Sequence, residues 1–396
     1  MITQLNIAGF KSFGIPGQRI ELGALNFVVG ANASGKSNLI SALRFLQLAV
    51  RVSTEFATNE FGGITEVRNR ILRERKSPKP MSIGFTMSIR NAAMQHGRKG
   101  RRFTIGSYSY ELSLDMRSDK GVPEVISEIL QADVRDQKGN LIPYRIERRK
   151  NEVVLTDQSQ SGQAEKQTLK IPSQEATRLV LGVAMFSLPA VLLREQILHW
   201  RFYNISAEWA RLPFKETPDA DIGRHGENLG VVLHKIEHEN GKTTIESLVS
   251  GLMGAVPGLK GIKPVQLPIE GKRTFQVVEE KIKGAIGPDS ISDGTIRLLT
   301  LLVFALRKGN EDALLAVEEP ENGLHPHLAE HVISILRTAS ATKQILATTH
   351  NSAFLDHLQP EEVHLRDKLD GFTKVRRASD IEEVQTFRKH FRLGEI

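Results

Sequence analysis

Residues Gly30 to Ser37 read GANASGKS, the Gly-x-x-x-x-Gly-Lys-Ser spacing of a loop that wraps phosphate. Glycines let backbone amides turn inward around an anion, and the N-terminus of a following helix adds partial positive charge. In such a loop Lys36 is expected to contact the β- and γ-phosphates of a nucleotide, and the Ser37 hydroxyl to ligate Mg2+. Gly30, Asn32, Ser34, Gly35 and Asn38 complete the expected cradle.

A second group is ALLAVEEPENGLHP, Ala313 to Pro326, an apolar run that ends in two carboxylates. At the carboxyl edge of a parallel sheet such acids lie where ligands bind. Strand alternation points Glu318 and Glu319 to opposite sides, so their roles must differ. Glu318 is expected to hold Mg2+, directly or through water, and Glu319 to orient an attacking water as general base. A third group, QILATTHN, ends a second apolar run at His350, whose imidazole could meet a γ-phosphate or that water. The fourth is DSISDGTIRLLTLL, residues 289 to 302, where Ser292 or Asp293 can cap the start of an apolar helix.

The elements that would carry these groups are legible from periodicity. Ala24 to Val29 reads as a strand into the glycine-rich turn, and SNLISALRFLQLAV after it has apolar residues at helical spacing. The stretch ITQLNIAGF alternates like an edge or meander strand. From about residue 81 to 170 short alternating runs such as MSIGFTMSI, YSYELSLDM and NEVVLT predict an antiparallel meander. Residues 176 to 259 read as largely helical, and PVQLPI and TFQVVEEKI as strands. The last hundred residues alternate helix and strand, the signature of a parallel sheet covered by helices. The expected fold class is therefore α/β, a mixed or parallel core with an antiparallel β lobe and a helical insertion. The expected division is 1–60 for the phosphate-loop unit, 61–175 for the β-rich lobe, 176–265 for the helical lobe and 266–396 for the closing α/β lobe.

Composition narrows the class further. The chain has 396 residues, 40% of them hydrophobic, enough for a large core. It has no cysteine, which excludes a disulfide scaffold or a thiolate zinc site. No segment approaches eighteen uninterrupted apolar residues and no signal peptide opens the chain, so the expectation is a cytoplasmic protein without a membrane partner. The net charge of +7 permits nucleic acid as a partner, with basic runs at His96 to Arg102, Tyr144 to Lys150 and Arg388 to Arg392.

The order of phosphate loop, long interval, Ser-Asp-Gly-Thr, acidic strand and strand-end histidine resembles the ATPase heads of the ABC superfamily. Within it, the chain looks like the SMC, RecF and OLD-like branch, including stand-alone AAA-family ATPases of bacterial defence systems. The resemblance implies ATP and Mg2+ as ligands and a head-to-tail homodimer, in which Ser292, Asp293 and Gly294 of one subunit cap the γ-phosphate held by the other. It also implies a place near the nucleotide for Lys11 in NIAGFKSF, and a dimer-crossing loop at ENGLHP. RHGENLGVVLHKI is similar to a segment of the defence ATPases. Departures are Glu318, where many ABC proteins carry aspartate, and Asp293, where transporters carry glycine. With no coiled-coil insertion and 46 residues after His350, neither an SMC tether nor a C-terminal TOPRIM nuclease is expected. The reading that follows is an ATP-hydrolysing head that gates a separately encoded nuclease or toxin, as in antiphage defence. The alternative is a RecF-like DNA or RNA repair clamp with Arg101, Arg102, Arg148 and Arg149 along one face, and a third reading keeps binding without hydrolysis.

Overall fold

The computed structural model describes residues 1–387 except 31–34, 75–78, 96–101, 117–120, 158–164, 184–186, 219, 241, 269 and 307–312. Asn32, Ser34 and Arg101, most of the 96–102 basic run and the whole 388–392 run lie outside the described residues.

The uniformly apolar runs become the inner strands of a six-stranded sheet. Its order is Arg201–Tyr203, Leu314–Glu318, Gln344–Thr349, Leu25–Val29, Val363–Leu369, Phe372–Arg377, the first five parallel and the last turning back antiparallel. All residues of Leu25–Val29 and Gln344–Thr349 are buried, as expected of strands covered on both faces. Alternate residues enter different cores. Phe27, Val317 and Ala347 pack with the helices Asp293–Leu306 and Ala329–Ala339, whereas Val28, Ala316 and Leu346 pack with the helix Ser37–Arg51.

The other side of the Ser37–Arg51 helix meets a nine-stranded antiparallel sheet. Its main path runs Glu165–Lys170, Glu152–Asp157, Tyr144–Arg149, Glu124–Asp136, Arg102–Asp115, Met81–Gln95, Ile2–Ala8, Gln18–Glu21. The first strand is thus not an edge: Gln18–Glu21 and Met81–Gln95 flank it. Gln344 ties the sheets together, accepting from Ile2 N (2.8 Å) and donating to the Ile2 (2.6 Å) and Gly23 (2.9 Å) carbonyls. This satisfies polar backbone groups that would otherwise be stranded between two cores.

The region read as helical holds the helices Leu188–Leu198, Leu229–Asn240 and Lys242–Met253 and several shorter pieces. It also contributes Arg201–Tyr203, the outer parallel strand beside Leu314–Glu318. Three residues are too few for periodicity to register. The last two helices pack over a small antiparallel sheet of Phe214–Lys215, Lys272–Glu279 and Leu259–Gln266. Among the described residues, no helix is long and apolar enough to cross a membrane.

Candidate functional site

Register places the chemistry. Glu318 pairs with Thr348, Thr349 with Val29, and Leu365 with Val29, so three parallel strands end in one row, where the pairing of the fourth with Leu25–Val29 also stops. Just beyond that row come Glu319, His350 and Gly30, with Arg366 beside the start of the phosphate loop. Ligands of parallel sheets bind at this edge.

The described stem of the loop is tightly built. Gly35 has φ +88°, and a Cβ there would lie 2.6 Å from Asn38 Nδ2 and 2.8 Å from both Arg366 Nη2 and Ser12 Oγ. Only glycine meets both demands. The Asn38 amide donates to Ser12 Oγ (2.7 Å), Thr373 Oγ1 donates to the same oxygen (2.5 Å), and Arg366 Nη2 donates to Thr373 Oγ1 (2.5 Å). Lys36 is 6% exposed, and its ammonium donates to the Gly30 carbonyl (2.7 Å), across the mouth of the loop. Burial lowers its pKa, while Glu319 and Glu321 raise it and Arg366 lowers it further. Ser37 opens the helix and is exposed.

The two carboxylates diverge as alternation predicts, with a backbone contribution besides. Glu318 is the last strand residue and accepts from Arg224 Nη2 (3.0 Å). Glu319 follows in the left-handed region at φ +45°, an unusual conformation for this residue type. It lies near His350, Oε1 to Nδ1 3.4 Å, and accepts from Asn322 Nδ2 (2.8 Å). A third acid, missed from sequence, completes the cluster. Glu321 is 6% exposed and accepts from Thr349 Oγ1 (2.5 Å) and His350 N (3.2 Å). Its other oxygen is buried without a hydrogen-bond partner, and burial raises its pKa. The sequence signal was slight: an acid two residues past the pair.

Of the two caps open to the Asp293–Leu306 helix, Ser292 is the one used. Its Oγ accepts from Thr295 N (3.2 Å) and shares a hydrogen bond with Thr295 Oγ1 (2.8 Å). Asp293 instead pairs with Arg211 (2.6 Å). A Cβ on Gly294 would lie 3.3 Å from Leu324 Cδ2, so this turn packs on the ENGLHP loop of its own chain. Among the described residues, none of these contacts is with the phosphate loop of the same chain.

Lys11, also left-handed at φ +46°, lines a cavity of about 440 Å3 with Ser12, Gly35, Asn38, Arg68 and Lys368. Its ammonium stands 4.8 Å from the centre of the Phe61 ring, which Arg44 also faces at 5.4 Å. Burial depresses both cations. The cavity thus joins the phosphate-loop stem to basic residues from three other segments.

The basic face proposed for nucleic acid does not form as expected. Arg148 is 1% exposed and donates to the carbonyls of Lys150, Ala176 and Arg178, each at 2.6 Å. The strand register turns it inward, where it anchors a loop against the antiparallel sheet. Arg149 is exposed and paired with Glu147 (2.7 Å).

The two residues expected to hold a metal, through the Ser37 hydroxyl and the Glu318 carboxylate, are oxygen donors, which suit a hard cation such as Mg2+. Among the described residues no group of three or more His, Cys, Asp or Glu gathers to hold a metal, so such an ion would draw its remaining ligands from water and phosphate.

Comparison with curated protein sequences returned no significant match. Three solved structures resemble the chain over most of its length. An SMC head bound to the C-terminal winged-helix domain of ScpA is 14% identical, covers 95% of this chain and 97% of its own, and has a TM-score of 0.48. An SMC head from Thermotoga maritima is 12% identical, with 95% and 98% covered and a TM-score of 0.41. An SMC head with an extended coiled coil bound to the C-terminal domain of ScpA, from Pyrococcus furiosus, is 12% identical, with 98% and 99% covered and a TM-score of 0.45. The profile of the family described as "AAA domain, putative AbiEii toxin, Type IV TA system" matches residues 25–356, from the strand before the phosphate loop to the helix after His350, and the chain belongs to that family.

Proposed function

We propose that the protein is an ATP-hydrolysing head of the ABC type that dimerises around nucleotide and gates an effector. The observation that carries this reading is the convergence of Lys36, Glu319, Glu321 and His350 at adjacent strand ends, with His350 Nδ1 3.4 Å from Glu319 Oε1 and 3.6 Å from Glu321 Oε1. Lys36 and the amides of the loop bind the β- and γ-phosphates, and Asn38 contacts the phosphates from the first helical turn. Ser37 and Glu318 would hold Mg2+, which would supply charge neutralisation. Glu319 accepts a proton from the water whose oxygen attacks the γ-phosphorus, as the bond to the ADP oxygen breaks. Asn322 fixes the carboxylate for that task. His350 donates to the transferred phosphoryl group, and the buried Glu321 holds the backbone amide of His350 in place. Such positioning and charge stabilisation is the main source of rate in phosphoryl transfer.

Dimerisation completes the site. Ser292 and Gly294 offer a hydroxyl, an approachable backbone and a helix N-terminus to an anion. In this reading they meet a phosphate supplied by a second copy. The family description, which names a putative toxin of a toxin–antitoxin system, supports placing the head in bacterial defence. On the same reading the protein works in the cytoplasm and gates a nuclease or toxin on another polypeptide. The burial of Arg148 weakens the nucleic-acid clamp reading.

The test is Glu319→Gln. It removes the base while leaving a side chain of equal size, so turnover falls by at least about 100-fold. ATP with Mg2+ then holds the variant as a dimer in size-exclusion chromatography. Unchanged turnover together with an elution volume indifferent to ATP would refute the proposed mechanism.

A further inference from the structure

The pairing of Glu318 with Arg224 has no place in the mechanism above. Arg224 lies in the turn Gly223–Asn228, within the RHGENLG segment. The backbone of this turn is anchored: Asn204 N donates to the Arg224 carbonyl (2.8 Å), Ser206 N to that of His225 (2.9 Å), and Gly223 N to that of Glu227 (3.0 Å). Gly226 is required at φ +96°, since a Cβ there would come within 2.9 Å of Ala210 Cβ. The side chain of Arg224 is held at one point. Its Nη2 donates to Glu318 Oε1 (3.0 Å), while its Nε is buried and has no hydrogen-bond partner. A fixed base carrying a guanidinium tethered by one contact can redirect its head group without moving the backbone.

Charge gives that movement a direction. Lys11, Arg44 and Arg224 lie close enough to disturb one another electrostatically, and Glu318 is a counter-charge felt by both Lys11 and Arg44. Glu66 also acts on Lys11 and Glu60 on Arg44, so these two neighbours have counter-charges besides Glu318, whereas Arg224 is the cation bonded to it. A divalent cation placed at Glu318 would stand against that guanidinium unless Arg224 moved away. A polyanionic phosphate chain is a partner that draws it off.

We propose that Arg224 is a two-position cation: the counter-ion of Glu318 in the nucleotide-free protein, and a phosphate-binding group once nucleotide enters. Glu318 is thereby masked from divalent cations until phosphate draws Arg224 off. This rests on the nucleotide reading of the site and adds to it an order of events, phosphate capture by Arg224 before Glu318 is released.

The test uses the full chain and two probes that need no turnover. Mant-ATP fluorescence in EDTA reads the phosphate contact, and Mn2+ alone, followed by electron paramagnetic resonance, reads the release of Glu318. Arg224→Gln is expected to weaken metal-free mant-ATP binding about tenfold and to strengthen Mn2+ binding about three- to tenfold. Those opposite signs would not arise from a merely structural loss. Arg224→Lys keeps metal-free binding within about threefold. Glu318→Gln, which frees Arg224 without altering its turn, tightens metal-free mant-ATP binding. If Arg224→Gln leaves that affinity unchanged, or Mn2+ binds it no more tightly, the proposal fails while the nucleotide site stands. If wild type and Lys36→Ala bind mant-ATP equally poorly, the nucleotide reading fails and this proposal with it.

Discussion

Gly35→Ala probes the stem of the phosphate loop through a single added methyl group. The residue sits at φ +88°, where an L side chain costs about 1–2 kcal/mol. The new Cβ would come within 2.8 Å of Asn38 Nδ2, Arg366 Nη2 and Ser12 Oγ, all below the 3.0 Å that real Cβ atoms tolerate. Overpacking of this kind costs about 1–3 kcal/mol. These three atoms are not loose ends, because Asn38, Ser12, Thr373 and Arg366 are joined in one hydrogen-bonded network and Arg366 is 4% exposed. The combined cost is therefore about 2–5 kcal/mol. The loop can relieve it by leaving its phosphate-binding shape while the core stays folded, so the loss is expected in ligand affinity more than in melting temperature. At 1.4 kcal/mol per tenfold, that is about 30-fold at the low end and over a thousandfold at the high end. Mant-ATP titration with Mg2+, alongside thermal denaturation, measures both. An affinity within about threefold of wild type would show that the network does not shape the loop, and the local reasoning would be wrong.

Ser292→Arg removes a helix cap worth about 1 kcal/mol and fills the face offered to a second copy, so mant-ATP binding should persist while the ATP-dependent dimer disappears from size-exclusion profiles. A dimer that survives would refute the role given to the Ser292 turn. Arg148→Ala leaves three backbone carbonyls without their donor and should cost about 3–5 kcal/mol by chemical denaturation, whereas Arg149→Ala at the exposed neighbouring position should stay within about 0.5 kcal/mol. Equal, small effects would mean that Arg148 does not anchor the loop.

Several features were legible because their causes are local. GANASGKS lies between an apolar strand and an amphipathic helix that follow one another directly, so motif and context are read in one window. The same holds for the apolar runs that end at Glu318 and Thr349, and for the cap at Ser292. The meander was legible too, since each antiparallel neighbour is reached through a short connection and alternation survives on a face that meets solvent. Of the two readings open to the first strand, edge or meander, the second holds, and sequence could not choose because its outer partner, Gln18–Glu21, is only four residues long.

The remaining features depend on contacts that no window contains. Arg224 meets Glu318 across 94 positions, and Arg366 meets Ser12 across 354. Both contacts follow from strand order: Arg201–Tyr203 lies outside Leu314–Glu318, and Val363–Leu369 lies beside the phosphate-loop strand. Arg148 shows the same limit from the other side, for a basic run reads alike whether its arginines face water or backbone carbonyls. Residue types and periodicity thus specified which chemistry the chain carries and which short elements hold it. Which charges meet was settled by how two sheets close over one helix, because charge pairing falls steeply with distance and distance is set by packing, not by position along the chain.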